Sequence, residues 1–168
     1  YPCDLAVFSN CDLKLESGQK INNFQIAYKT YGKLDENKSN AILICHALTG
    51  DQLVSENHPI TKKDGWWMRM VGPGKPIDTN KYYVISSNVL GGCIGSTGPK
   101  EINQKTNIPY GLTFPSITIK DMVIAQKHLI DALKIGKLFA VTGASMGAMQ
   151  VLQWIISYPE NILNEEAD

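Results

Sequence analysis

The chain has 168 residues and is 43% apolar, enough to bury a sizeable core. Sixteen Lys and Arg balance sixteen Asp and Glu, so no broad basic surface for nucleic acid or anionic membrane is expected. Cys3, Cys11, Cys45 and Cys93 lack C-x-x-C spacing, which argues against a metal site or disulfide framework and for reduced thiols in a cytoplasmic protein. No apolar run reaches the roughly 20 residues that span a bilayer.

In chain order, residues 11–15 and 23–31 read as strands separated by the turn-like Glu16-Ser-Gly-Gln. In the second, Phe24, Ile26 and Tyr28 alternate with Gln25, Ala27 and Lys29, the period of a half-exposed strand. Residues 40–45, 81–87 and 138–142 are short continuous apolar runs, suited to central parallel strands covered on both faces. Two long irregular stretches, 48–80 and 90–115, interrupt them, and loops of that length usually wrap a site or carry function. Thr118, with Asp121 three residues on, predicts a capped helix start. Met122, Ala125, Leu129, Ile130 and Leu133 then form one apolar stripe that ends before Gly136. A second helix over 146–157 is apolar nearly all round, which predicts burial, and Pro159 stops it.

The most informative segment joins the last strand to that helix: Gly143-Ala-Ser145-Met-Gly147. By chance alone G-x-S-x-G occurs in roughly one chain of this size in twenty, so its context carries the weight. A strand before it and a helix after it make a nucleophile elbow, in which a tight turn thrusts the serine oxygen above the sheet edge. Ser145 is the candidate nucleophile. The Met146 N–H, at the helix N-terminus, is a candidate oxyanion donor. The Leu48 N–H, in the loop after the third strand, is the candidate for the second donor. The bland reading is a small-residue turn in which Ser145 only packs or caps.

A serine nucleophile needs a base, and in this architecture the acid and histidine follow the serine. Here His46, His58 and His128 all precede Ser145. His46 reads as a hydrogen-bonded, structural strand-end residue, and His58 and His128 as solvated. The chain is therefore expected to be the N-terminal portion of one catalytic domain over residues 1–168, without its lid and C-terminal half, inactive and poorly stable alone. Residues 88–99 are glycine-rich at the sheet's carboxyl edge and could wall a site or simply pack; they contain no phosphate-binding fingerprint. Trp66-Trp67 reads as a pair of buried loop anchors, with a substrate platform as the alternative, and residues 61–64 as a solvated charged turn.

Together these segments resemble the homoserine O-acetyltransferase family. The motifs that carry the resemblance are NAILICHALTGD at 40–51, GWW at 65–67, GPGKPIDTNKYYVISSNVLGGCIGSTGP at 72–99, YGLTFPSITIKDM at 110–122 and GASMGAMQVLQW at 143–154. The family elbow more often has glycine where Ala144 and Ala148 stand. The resemblance implies an α/β-hydrolase fold, here as strands one to five of a mostly parallel sheet with flanking helices. It also implies an acyltransferase that moves an acetyl group from acetyl-CoA to the hydroxyl of homoserine, in methionine biosynthesis, through an acyl-enzyme on Ser145. Acetyl-CoA or succinyl-CoA would be a co-substrate, with no permanently bound cofactor and no metal. Homoserine would be the acceptor, and the full-length protein a homodimer without nucleic-acid or membrane partners. The family's Asp, His, substrate-binding Arg and lid would lie after residue 168. A serine esterase of the same fold, or a non-catalytic paralogue, is the alternative.

Overall fold

The computed structural model describes residues 3–103 and 106–163. Five strands form the main sheet: β1 (Asp4–Lys14), β2 (Lys20–Tyr31), β3 (Ala41–Cys45), β4 (Tyr83–Ser87) and β5 (Ala140–Gly143), in the spatial order β1-β2-β4-β3-β5. β3 pairs in parallel with both β4 and β5, whereas β2 pairs antiparallel with β1 and β4. The three continuous apolar runs are thus the parallel centre, and the alternating strand lies beside them.

β1 begins well before the expected residue 11. Leu5 and Val7 are exposed while Ala6 and Phe8 pack on the core, so apolar side chains point to both faces and leave no period-2 contrast to read. The ladder with β2 is irregular between Phe8 and Asp12, and Asn10 turns to φ 56° there. At the other end, Leu138 bridges Ile162 in parallel on the free side of β5, with Leu138 N–H donating to Asn161 O (2.7 Å) and Leu163 N–H to Leu138 O (2.8 Å). The backbone of Leu138, just before β5, is thus paired on that edge.

Every β3 residue is buried, and the alternation of its side chains divides the core. Ala41, Leu43 and Cys45 join Phe24, Ile26, Ile85 and residues of both helices, α1 (Ile119–Ala132) and α2 (Met146–Ser157). Ile42 and Ile44 join Val54, Val71 and Val84 on the opposite face, with Trp67 and Met70 against them. Among the described residues both long helices lie on one face, and residues of the irregular 48–80 stretch cover the other. α1 starts with a complete capping box: Thr118 Oγ1 accepts from Asp121 N–H (3.2 Å), and the Asp121 carboxylate accepts from Thr118 N–H (3.0 Å) and Glu16 N–H (2.9 Å).

α2 departs from its expected burial. Gly147, Gln150 and Trp154 are buried, but Leu152 and Ile156 are 62% and 75% exposed, and Met149 and Ile155 are also exposed. The helix packs on α1, β3 and β5, and beyond β5 only the Leu138–Ile162 bridge is present among the described residues. Its outward apolar side has no cover among the described residues. No helix among them is long and apolar enough to cross a membrane.

Candidate active site

Two close approaches build the turn around Ser145. A Cβ on Gly143 would lie 2.6 Å from Cys45 O, and one on Gly147 would overlap the same carbonyl oxygen, so α2 meets the end of β3 closely enough to exclude any side chain. The reversal between them falls on Ser145, at φ 56° and ψ −124°, a conformation that costs an L-residue about 1–3 kcal/mol. Ser145 is exposed and its side chain makes no capping bond to the helix. The strained backbone expected of the turn is present, and the capping alternative is not.

Across from it, the loop after β3 folds into a tight turn in which Gly50 N–H donates to Ala47 O (2.9 Å). Leu48 stands exposed in this turn. Neither the Leu48 N–H nor the Met146 N–H donates to another backbone group among the described residues. Both residues line one cavity of about 470 Å³, mainly apolar, walled by the 88–94 segment, Leu112, Phe114 and Met122. A larger open hollow of about 1050 Å³ lies between β2 and the 97–115 segment, away from the elbow.

His46 is 1% exposed and braces this loop. One ring nitrogen, Nδ1, lies 2.7 Å from Ala47 O, and the other, Nε2, accepts from Val89 N–H (3.2 Å). Since a carbonyl can only accept and an amide N–H only donate, the ring is neutral with its proton on Nδ1. Burial holds the imidazole below its ordinary value, against the opposing pull of the Ala47 carbonyl. The unfolded chain takes up a proton near pH 6.5 that the folded state refuses, so this contribution to stability is present above that pH and is lost as pH falls. The urea midpoint of the native protein is therefore expected to drop below about pH 6.5, and a His46→Gln variant to have a shallower drop. Equal slopes in the two proteins would show that the folded state protonates His46 as readily as the unfolded chain does.

Trp66 and Trp67 stack at 5.4 Å, and the Trp66 indole donates to Asp51 O (2.9 Å), which ties the loop, but Trp66 is exposed rather than buried. Residues 61–64 are exposed. His58 and His128 are half-buried rather than solvated. His128 sits edge-on to Phe8 and Phe24, and His58 Nδ1 accepts from Ile60 and Thr61 N–H (3.2 Å each). The glycine-rich loop both walls the cavity and packs. Ser96 Oγ and Thr97 Oγ1 accept from Ala27 and Gln25 N–H, and Gly91 and Gly92 N–H donate to loop carbonyls, not outward as a phosphate cradle would. Burial pushes the Cys45 thiol up to about 12, which leaves it inert as a nucleophile.

A buried polar chain beneath the elbow escaped the sequence reading. Trp154 Nε1–H donates to Gln126 Oε1 (2.8 Å), and Gln126 Nε2 donates to Gln150 Oε1 (2.7 Å). Gln150 Nε2 reaches His46 O (3.3 Å) and Met146 O (3.2 Å). A signal was available: Gln126 lies four residues after Met122 and four before Ile130, inside the apolar stripe of α1, and Gln150 interrupts an apolar helix.

Known proteins resemble this chain in sequence and in fold. Homoserine O-acetyltransferases from Nitrobacter hamburgensis and Pelagibacter ubique are 60% and 63% identical over 90% and 88% of the chain. The chain covers 38% and 40% of their lengths, so it spans about two-fifths of the curated relatives it matches. The crystal structure of a homoserine O-acetyltransferase from Bacillus anthracis superposes on 95% of the chain, and on 44% of its own, with a TM-score of 0.88 at 35% identity. Esterase E22 matches 95% of the chain and 45% of its own with a TM-score of 0.85 at 38% identity. The profile of the alpha/beta hydrolase fold matches residues 40–164. A parallel sheet centre, a strained serine between two closely packed glycines and a helix leading away from it are the parts that this match spans, and the chain belongs to the alpha/beta hydrolase fold family.

Proposed function

We propose that this chain carries the nucleophile half of a homoserine O-acyltransferase. The observation that carries the reading is Ser145 at φ 56°, between glycines that admit no Cβ and directly before Met146, which lines one cavity together with Leu48. The 60% identity to homoserine O-acetyltransferases supports the choice of substrates.

In this reading the Ser145 oxygen attacks the thioester carbonyl of acetyl-CoA or succinyl-CoA. The Leu48 and Met146 N–H groups hold the negative oxygen of the tetrahedral intermediate, and the positive end of the α2 dipole favours charge there. The carbon–sulfur bond breaks, CoA leaves with the proton taken from Ser145, and the acyl group stays on the serine as an ester. The hydroxyl of homoserine then attacks that ester, its proton passing through the same base, and Ser145 is regenerated. The base is assigned to a histidine from the part of the longer relatives that this chain does not span. His46 is a poor candidate, because both its ring nitrogens are engaged and burial keeps it neutral.

Hydrolysis is the competing outcome, supported by the likeness to esterase E22. Both outcomes share the acyl-enzyme and differ only in the acceptor. The test is to incubate the native protein with acetyl-CoA, with and without homoserine, measuring CoA release and O-acetylhomoserine together. Release that depends on homoserine, with one product per CoA, is expected. Release at the same rate without homoserine would replace the transferase reading by the esterase one.

A further inference from the structure

The two proposed oxyanion donors belong to different elements, one to the loop after β3 and one to the start of α2. Their separation is not set by either element alone, so something must tie them. We propose that Gln150 is the positioning residue that does so, an inference that rests on the oxyanion role proposed above.

The geometry is that of a strut. The Gln150 amide group has two protons, and its nitrogen lies 3.3 Å from His46 O and 3.2 Å from Met146 O. His46 is two residues before Leu48, and Met146 is itself the other donor. One NH2 group thus bridges the carbonyls of both halves of the site. Gln150 is fully buried, so water does not compete for these bonds.

The orientation of that amide is set from a distance. An indole N–H can only donate, so Trp154, bonded at 2.8 Å, requires the oxygen of Gln126 to face it. Gln126 must then present its nitrogen to Gln150, which in turn presents its oxygen to Gln126 at 2.7 Å. Only the Gln150 nitrogen remains for the two carbonyls. Trp154 and Gln126 are buried as well, and the chain of donors runs one way from α2 through α1 to the elbow. A displacement of about 1 Å in a catalytic geometry can cost about a hundredfold in rate, so removing the strut should act on the transition state more than on substrate binding.

The experiment uses the native protein and the variants Ser145→Ala, Gln150→Met, Trp154→Phe and Gln153→Ala. Methionine keeps the length of glutamine and removes its hydrogen bonds. Gln153, which bonds Ser157 along the helix (2.7 Å), is the control and should leave kcat unchanged. For Gln150→Met, kcat is expected to fall about 10- to 100-fold, with KM within about twofold. Affinity for an alkyl boronic acid, whose serine adduct places an oxygen in the oxyanion site, should fall in parallel. Trp154→Phe keeps an aromatic ring but releases the Gln126 amide, and should lower kcat and boronate affinity by a smaller factor, about three- to tenfold. It stands as the test if Gln150→Met does not fold. Unchanged kcat in whichever variant folds, or a fall in kcat with boronate affinity unchanged, would overturn the proposal. Activity surviving in Ser145→Ala would instead overturn the function proposed for the site.

Discussion

Replacing Ser145 by alanine in the native protein is expected to lower acyl transfer by about 10⁴-fold or more, while changing stability by no more than about 0.5 kcal/mol. The serine is the only atom source for the proposed acyl-enzyme, so its loss removes the covalent route altogether. Alanine has the same backbone restriction as serine and remains at φ 56°, so the strain is unaltered. Glycine separates the two effects. Ser145→Gly is expected to be equally inactive yet more stable by about 1 kcal/mol, because it occupies that backbone region without a Cβ penalty. Assays of homoserine-dependent CoA release, paired with urea denaturation of the three proteins, check both statements. Substantial turnover by either variant would remove Ser145 from the mechanism. A Ser145→Gly variant no more stable than the native protein would show that the turn stores no strain.

The second large effect is structural and falls on Gly147. Inside a helix, Gly→Ala ordinarily stabilises by about 0.8–1 kcal/mol. At Gly147 the added Cβ would overlap the carbonyl oxygen of Cys45 and lie 2.9 Å from its carbon, both backbone atoms of a fully buried strand. Neither can swing aside as a side chain would, so overpacking wins over propensity. We expect Gly147→Ala to destabilise by about 2–4 kcal/mol. It should also abolish transfer, because α2 must move away from β3 and take Ser145 and Met146 with it. Gly136→Ala is the control: nothing lies within 4 Å of the position its Cβ would take, and its φ is not in the left-handed region. Its effect should stay within about 0.5 kcal/mol. A Gly147→Ala protein as stable as the native one would mean that helix and strand are not in the close contact described.

The elbow was legible because local rules determine it. A tight turn between an apolar strand and a helix requires glycines where chain segments meet, and Gly143 and Gly147 stand at those two positions whatever surrounds them. The capping box at Thr118 and Asp121, the parallel centre from three continuous apolar runs, and the stop at Pro159 are equally local. The exposed side of α2 was not legible. Leu152 and Ile156 have the composition of buried residues, and their exposure depends on what lies beyond β5.

By itself, the sequence determined the kinds of element, the turn that presents Ser145 and the two residues whose amides are candidates to face it, since helix, strand and turn preferences act over a few neighbours. Tertiary structure alone decided the layers and the supports. Both helices share one face of the sheet because β3 alternates its side chains between two separate clusters. His46 became a neutral brace because Val89, from another loop, donates to its ring. Gln126, Gln150 and Trp154 became one chain of donors only when α1 and α2 packed together, bringing residues 24 positions apart within 2.7 Å. Periodicity can place a polar residue on a buried face. Its partner there is decided by the packing of whole elements, because a hydrogen bond between side chains depends on distances that no local pattern encodes.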